Sequence, residues 1–190
     1  TANGYDVSLL TDAGAQTMRD AISAFLASGD GPDHRMFYFS GHSANVDGQN
    51  YLVPSDASVT TGIDLDYNFI SMAAINAQMD RDSTPDIVIL DAGYRHFADN
   101  ELANVLPRQS VTDAPATPDD SVNTLTIVAV EPNSNNLSQA NRRNVFSDIL
   151  ANRLSREDQD AQTFFTALAR RVDNQSNNRQ TPYVSDGFTA

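Results

Sequence analysis

A histidine and an aspartate each follow an apolar run that is typical of a buried strand. His42 comes after the run at residues 35–39, and Asp91 directly follows the run at residues 87–90. Such short runs, rich in aromatic and branched residues, indicate parallel strands that are covered on both faces. The carboxyl ends of parallel strands meet at one edge of a sheet, where ligands bind in α/β folds. We therefore expect His42 and Asp91 to lie at one functional edge.

The two residue types suit different chemistry at that edge. The sequence places His42 on a tight turn between Gly41 and Ser43, where its imidazole could act as a general acid or base near neutral pH. The alternative is a turn histidine with a satisfied hydrogen bond and no chemistry. Asp91 brings a carboxylate to the same edge, and the alternative for it is a carboxylate that only caps the turn that follows.

Strand and helix patterns alternate along the chain and predict the frame that positions these residues. A short strand is predicted over residues 5–10, and a hairpin is predicted to turn at Asp47-Gly48. Apolar residues three or four apart indicate helices over residues 18–26, 69–79, 145–154 and 164–172. Further strands are predicted at residues 125–130 and 183–184. This alternation predicts an α/β fold with a mostly parallel central sheet and helices on both faces.

The chain length of 190 residues fits a single domain with a core of ordinary size. Residues 104–123 interrupt the alternation, because prolines, aspartates, serines and threonines cluster there without periodic apolar residues. We expect this segment to be a mobile surface loop or linker. The polar stretch at residues 174–180 is likewise expected to be a loop, and the Asp64-Leu65-Asp66 doublet is expected to carry solvated charges of a loop or of a helix end.

The charge composition excludes some partners. The chain carries 25 acidic and 12 basic residues, for a net charge of −13, and all the basic residues are arginines. Such a surface repels nucleic-acid phosphates and anionic lipids, whereas it attracts a cationic peptide or protein. No apolar run is long enough to span a membrane. Because the chain has no cysteine, it has no disulfide and no thiolate metal site.

Two other kinds of site fit the sequence poorly. A serine hydrolase built on Ser40 and His42 would need a glycine-framed nucleophile turn, which does not surround Ser40. A metal site built from His34, His42 and His96 lacks the usual ligand spacing. We therefore expect neither a metal nor another cofactor.

Several segments together resemble the caspase-like cysteine peptidases, and the bacterial metacaspase relatives in particular. The most specific match is Phe37-Tyr38-Phe39-Ser40-Gly41-His42, followed by the segment from Asp47 to Asp56 that reads DGQNYLVPSD. Residues 87–95 are similar to the family's nucleophile segment, and residues 4–13 and 179–185 match segments near its two ends. The resemblance implies a caspase-like three-layer sandwich. It also implies a larger part at residues 1–103, a linker at 104–123 and a smaller part at 124–190.

The resemblance implies a role for each candidate site residue. His42 takes the place of the histidine that activates a cysteine thiolate, and the backbone N–H of Ser43 takes the place of an oxyanion donor. Ser40 and Asp91 fall on positions that line the pocket for the residue before the cleaved bond. An aspartate there favours an arginine or lysine side chain.

The sequence departs from the family pattern at the nucleophile. Counting from Asp91 places the cysteine position at Gly93, whereas counting back from Arg95 places it at Tyr94. Glycine has no nucleophile, and a tyrosine hydroxyl with an ordinary pKa of about 10 is a poor one. The family's first strand and helix, which precede the segment matched by residues 4–13, are also absent from the chain. A sheet without that strand is expected to expose backbone groups.

These observations predict a catalytically inactive homologue that binds a peptide or protein partner through Ser40, His42 and Asp91. The alternative is an endopeptidase, specific for arginine or lysine, whose nucleophilic cysteine has been replaced in this chain.

Overall fold

The computed structural model of the chain describes residues 4–27, 34–58, 64–81, 85–94, 111–112, 114–118, 123–132, 145–154 and 160–186. These residues form one sheet with seven strands: β1 (Arg35–Val46), β2 (Gln49–Val53), β3 (Ile70–Ser71), β4 (Asp86–Tyr94), β5 (Val111–Thr112), β6 (Thr124–Val128) and β7 (Tyr183–Val184). They also form five helices: α1 (Ala15–Leu26), α2 (Asp64–Asn68), α3 (Met72–Met79), α4 (Val145–Arg153) and α5 (Ala161–Ser176).

The centre of the sheet is parallel, as the sequence predicts. The strand order is β3-β2-β1-β4-β6-β7, and β4 pairs in parallel with both β1 and β6. The outer pairs are antiparallel, and β5 pairs antiparallel with the last residues of β1. The predicted α/β class is therefore confirmed, in a mixed sheet with a parallel core.

Two hydrophobic clusters cover the two faces of the sheet and give three layers. Alternate residues of a strand point to opposite faces, so neighbouring residues of β4 serve different clusters. Ile87 and Ile89 pack with residues of α4 and α5, including the fully buried Phe146 and Phe165. Val88 and Leu90 pack on the other face with residues of α1, β2 and α3, including Met18, Leu52, Ile75 and Met79. The helices therefore hold β4 rigidly from both sides.

Two helices begin at residues whose side chains accept a backbone hydrogen bond. The Ser71 hydroxyl accepts from the N–H of Ala74 at the start of α3, and the Asp160 carboxylate accepts from the N–H of Thr163 at the start of α5. The bond from Thr163 also lowers the pKa of Asp160 below its ordinary value. These caps satisfy N–H groups that have no partner within the helix.

The predicted turn at His42 is wrong, because β1 continues without interruption from Arg35 to Val46. Its last residues form a hairpin with β2, with His42 opposite Val53 and Val46 opposite Gln49. The turn lies further on, at Asp47 and Gly48, which both have positive φ. Positive φ at both central residues matches the twist of a two-residue hairpin. The last residues of β1 are therefore the first strand of this hairpin.

The predicted strand at residues 5–10 is also wrong. The segment has no strand pairing, and the exposed fraction is 60% for Val7 and 82% for Leu9. The Tyr5 hydroxyl, at the start of the segment, contacts His34 at 2.5 Å. Three residues after the segment ends, the carbonyl of Ala13 accepts a hydrogen bond from the N–H of Ser55. An alternating pattern forms a strand only where a neighbouring strand completes its hydrogen bonds, and no described strand adjoins residues 5–10.

One edge of β1 is open within the part of the chain that the structure describes. The strand β2 pairs with that edge only from His42 to Val46, and no other described strand adjoins it at residues 36–41. The opposite edge of the same residues is paired with β4.

Other boundaries differ from the expected ones by a few residues. Residues 64–68 form the helix α2, so the Asp64-Leu65-Asp66 doublet lies at a helix end, which is one of the two expected alternatives. The helix α5 extends to Ser176, into the stretch expected to be a polar loop, and ends at Asn177 in the left-handed conformation. The strand β4 continues through Asp91 to Tyr94. None of the described helices is long and apolar enough to cross a membrane.

Part of the expected surface loop packs firmly against the sheet. Within residues 104–123, the structure describes 111–112, 114–118 and 123. The stretch from Ala114 to Ala116 is buried. Asn50 donates to the carbonyl of Ala116 at 3.0 Å and accepts from its N–H at 2.9 Å, and Asn45 donates to the carbonyl of Ala114 at 2.9 Å. The side chains of the two asparagines are hydrogen-bond partners for the backbone of this segment, which the composition of the segment does not reveal.

Replacing Asn50 should release this segment. We expect Asn50→Ala to leave the buried N–H and C=O of Ala116 without partners, at a cost of about 1–3 kcal/mol. The amide exchange of Ala116 should then accelerate about 10- to 100-fold, measured by hydrogen exchange with NMR detection. The exposed neighbour Gln49 gives the matched control, since Gln49→Ala should leave that exchange rate unchanged. Equal protection in Asn50→Ala and the control would contradict the assigned hydrogen bonds.

Candidate functional site

The structure places His42 and Gly93 side by side on neighbouring parallel strands. They are direct partners in the register of β1 and β4. Adjacent strands lie roughly 4.8 Å apart, so side chains at the two positions could contact each other. Both residues are exposed, which leaves this part of the sheet edge accessible to a ligand.

Ser40 and Asp91 are the next pair on the same face of the sheet. They are also direct register partners, two residues before His42 and Gly93. Ser40 is exposed, whereas Asp91 is buried with an exposed fraction of 6%. Because residues two apart in a strand share a face, all four positions border one surface. The register of β1 and β4 therefore brings together the four positions that the sequence analysis selected.

The carboxylate of Asp91 lies within a small network of hydroxyl groups. Ser147, in the first turn of α4, donates a short hydrogen bond to Oδ2 of Asp91. Tyr38 donates to the same oxygen at 3.2 Å, and the Tyr38 and Ser147 hydroxyls are 3.3 Å apart. The first turn of a helix also favours a nearby negative charge. These contacts compensate for burying the carboxylate.

The environment of Tyr38 keeps its hydroxyl protonated. Partial burial raises the pKa of Tyr38 above its ordinary value, and the adjacent Asp91 carboxylate contributes to the rise. Hydrogen bonds with Ser147 and Ser40 act in the opposite direction but do not cancel the rise. Tyr38 is therefore a hydrogen-bond donor at neutral pH.

The register distinguishes between the two positions at which the sequence could have placed a nucleophile. Gly93 is opposite His42, whereas Tyr94 is opposite Ser43 and so is one residue out of register with the histidine. Among the described residues, a Cβ atom built on Gly93 meets only the carbonyl oxygen of Gly41, at 3.9 Å, an ordinary contact. Position 93 therefore has room for a side chain on the same face as His42.

The expected role of Ser43 requires a turn or loop, but Ser43 lies within the strand β1. It is a buried strand residue, opposite Leu52 of β2 and Tyr94 of β4. When a strand has another strand on each side, the N–H of its residues lies in the plane of the sheet and points towards one of the neighbouring strands. This geometry is less suited to an oxyanion than the expected turn, and the role of Ser43 stays a prediction. Its buried hydroxyl has no hydrogen-bond partner among the described residues.

No group of three or more histidine, aspartate or glutamate side chains that could hold a metal ion occurs in the described ranges. His42 is far along β1 from His34, which contacts Tyr5. His96, the third histidine of the rejected metal hypothesis, lies outside the described residues.

Comparison with known proteins agrees with this fold. The family model described as "Caspase domain" matches residues 1–190, the whole chain. The chain belongs to the caspase family. A search of curated proteins found no significant match to it. Since the sequence contains no cysteine, this caspase domain lacks the thiol nucleophile of a cysteine peptidase.

Two residues of the site in this caspase domain were not identified from the sequence. Tyr38 could have been found, because it alternates with Ser40 and His42 and so shares their face in a strand. Ser147 gave no such signal, because it is 56 residues from Asp91 in the sequence and the apolar pattern of its helix does not include it.

Proposed function

We propose that this caspase domain is a non-catalytic module that binds a peptide or protein partner at the edge formed by β1 and β4. In this proposal, Asp91 and Ser40 receive an arginine or lysine side chain, and His42 borders the adjoining backbone of the ligand. The observation that carries the proposal is the register, which puts Ser40 with Asp91 and His42 with Gly93 on one accessible face.

Charge supports a cationic ligand. The chain has a net charge of −13, which attracts cationic peptides over long distances. At short range, a guanidinium or ammonium group would form charge-assisted hydrogen bonds with the Asp91 carboxylate, which are stronger than bonds between neutral groups. The exposed hydroxyl of Ser40 could accept a further hydrogen bond from the same group.

The absence of a thiol supports binding without cleavage. The peptidase mechanism of a caspase-like protein needs a thiolate that attacks the peptide carbonyl, and this chain has no cysteine to supply it. Gly93 is the residue opposite His42 and has no side chain that could replace the thiolate.

Peptide binding tests the proposal directly. A fluorescein-labelled peptide that ends in arginine should bind the protein, and fluorescence anisotropy should give a saturable curve. Asp91→Asn keeps the shape and the acceptor for Ser147 but removes the charge, so we expect about a tenfold weaker affinity. Otherwise identical peptides that end in alanine or aspartate are the matched controls.

Two results would contradict this proposal. One is equal affinity for peptides that end in arginine and in aspartate. The other is unchanged arginine-peptide affinity in Asp91→Asn, with circular dichroism confirming that the variant is folded.

A second function is favoured by the space at Gly93. The chain would then derive from an endopeptidase, specific for arginine or lysine, whose cysteine has been replaced at position 93. The room for a Cβ atom beside His42 is what such a replacement would leave behind.

We also propose that the domain falls among the bacterial metacaspase relatives. The segments from Phe37 to His42 and from Asp47 to Asp56 support this placement.

A further inference from the structure

Two hydroxyl groups already occupy the carboxylate that would receive the ligand's cation. Ser147 and Tyr38 both donate to Oδ2 of Asp91, and the two hydroxyls are themselves in contact. The three residues come from β1, β4 and α4, so the network joins the two strands of the site to the helix above them. Neither Tyr38 nor Ser147 is needed to explain the register of the site.

A bound cation gains only the difference between its own interaction and the one that it displaces. A guanidinium that approaches Oδ2 must displace a hydroxyl donor or share the oxygen with it. Both kinds of hydrogen bond have the ionised carboxylate as acceptor, but the guanidinium also brings a full positive charge, so displacement is favourable. Part of the free energy gained is lost in breaking the existing hydrogen bond. Neutral ligands gain less and displace the hydroxyls less well.

We propose that Ser147 and Tyr38 form a hydroxyl cap on Asp91 that sets the affinity and the charge selectivity of this site. This inference rests on the proposed function, since it concerns the same carboxylate. Both residues act on the ligand through their competition for Oδ2 of Asp91. They are specificity-determining residues that the sequence analysis did not assign.

The surroundings allow the cap to open. Tyr38 has an exposed fraction of 44%, so its hydroxyl can rotate towards solvent without disturbing the core. Ser147 is partly exposed in the first turn of α4, whereas its neighbour Phe146 is fully buried and anchors that turn. A change of the Ser147 side chain alone can therefore remove one of the two hydroxyl donors from Oδ2 while the helix stays in place.

The test measures the affinities of three variants for two labelled peptides. The peptides differ only at their last residue, which is arginine in one and its neutral isostere citrulline in the other. We expect Ser147→Ala to bind the arginine peptide about 3- to 10-fold more tightly than the unmodified protein, because one of the two competing donors is gone. The citrulline peptide should gain less, so the ratio of the two affinities should rise.

Two further variants make the test specific. Ser147→Thr keeps the hydroxyl and should bind both peptides as the unmodified protein does. Tyr38→Phe removes the longer of the two contacts to Asp91 and should shift the arginine affinity in the same direction as Ser147→Ala, by less. It tests the cap independently if Ser147→Ala does not fold. A structural role for Ser147 would change both peptides equally and leave their ratio constant.

The outcomes separate this inference from the proposed function. Binding of the arginine peptide by the unmodified protein, with an equal or weaker affinity in Ser147→Ala and in Tyr38→Phe, would overturn the cap alone. No binding by the unmodified protein or by any variant would overturn both.

Discussion

Gly93→Cys should convert the protein into a measurable peptidase. The introduced thiol would lie opposite His42 in the register of β1 and β4, and the backbone has room for its Cβ atom. A neighbouring imidazole lowers a thiol pKa from its usual value of about 8.5 and so raises the fraction of reactive thiolate. We expect hydrolysis of fluorogenic peptides that end in arginine, where the unmodified protein shows none.

The dependence on His42 is the sharpest part of this prediction. Adding His42→Ala to Gly93→Cys should reduce the rate by about 100-fold or more, because a positioned general base contributes on that scale. Tyr94→Cys is the matched control for position, since residue 94 is opposite Ser43 and out of register with the histidine. Gly93→Ser controls for a side chain without a thiol.

Thiol reactivity gives a second measurement of the same geometry. The chain has no other cysteine, so alkylation reports only on the introduced thiol. Its rate against pH should show a lower thiol pKa in Gly93→Cys than in Tyr94→Cys, and His42→Ala should remove that difference. Equal pKa values in the two cysteine variants would show that His42 does not face position 93.

Asp86→Ala should destabilise the fold more than any surface change. Asp86 and Arg35 are partners in the register of β4 and β1, and they form a bidentate ion pair with two contacts of 2.7 Å. Both side chains are almost completely buried, and Arg35 also donates to the carbonyl of Met79 at 3.3 Å. Removing the carboxylate leaves a buried guanidinium without its counter-charge, at a cost of about 3–5 kcal/mol.

Urea unfolding at constant protein concentration measures this effect as a shift in the midpoint at unchanged slope. Arg171→Ala is the matched control, because this arginine is exposed on α5 and its loss should cost less than about 0.5 kcal/mol. The double variant Arg35→Met with Asp86→Leu should be much more stable than Asp86→Ala, since it leaves no buried charge. A midpoint in Asp86→Ala equal to that of Arg171→Ala would contradict the structural role of the pair.

The ion pair also matters for the site, because it lies at the opposite end of the same two strands. Arg35 and Asp86 begin β1 and β4, and His42 and Gly93 lie near the carboxyl ends of the same ladder. A shift of register by one residue would separate Arg35 from Asp86 and would also move His42 away from Gly93. The pair therefore helps to keep the candidate residues aligned.

The apolar patterns of the sequence were sufficient to predict most of the sheet and its helices. The runs before Ser40 and Asp91 became β1 and β4, and the helices near residues 18–26, 145–154 and 164–172 are present. These elements form where the sequence predicts because each buries a periodic apolar face, and that periodicity is local information. The caspase-like three-layer arrangement, implied by the resemblance, agrees with the match of the family model to the whole chain.

Predictions failed where an element depends on a partner far away in the sequence. Residues 5–10 alternate like a strand, but no strand adjoins them in the described part of the chain. The segment around Ala116 looks like a solvated loop, but Asn50 binds it, 66 residues away. A local pattern cannot report a hydrogen bond that closes over such a distance.

By itself, the sequence determined that His42 and Asp91 end up on neighbouring strands and that no thiol is available to them. Only the tertiary structure decided that Gly93, rather than Tyr94, is opposite His42, and that Ser147 and Tyr38 bind the Asp91 carboxylate. The reason is that strand formation in β1 and β4 follows from local apolar runs. The register and the hydrogen bonds between residues far apart in the sequence instead depend on how the helices and the buried Arg35–Asp86 pair hold the strands in position.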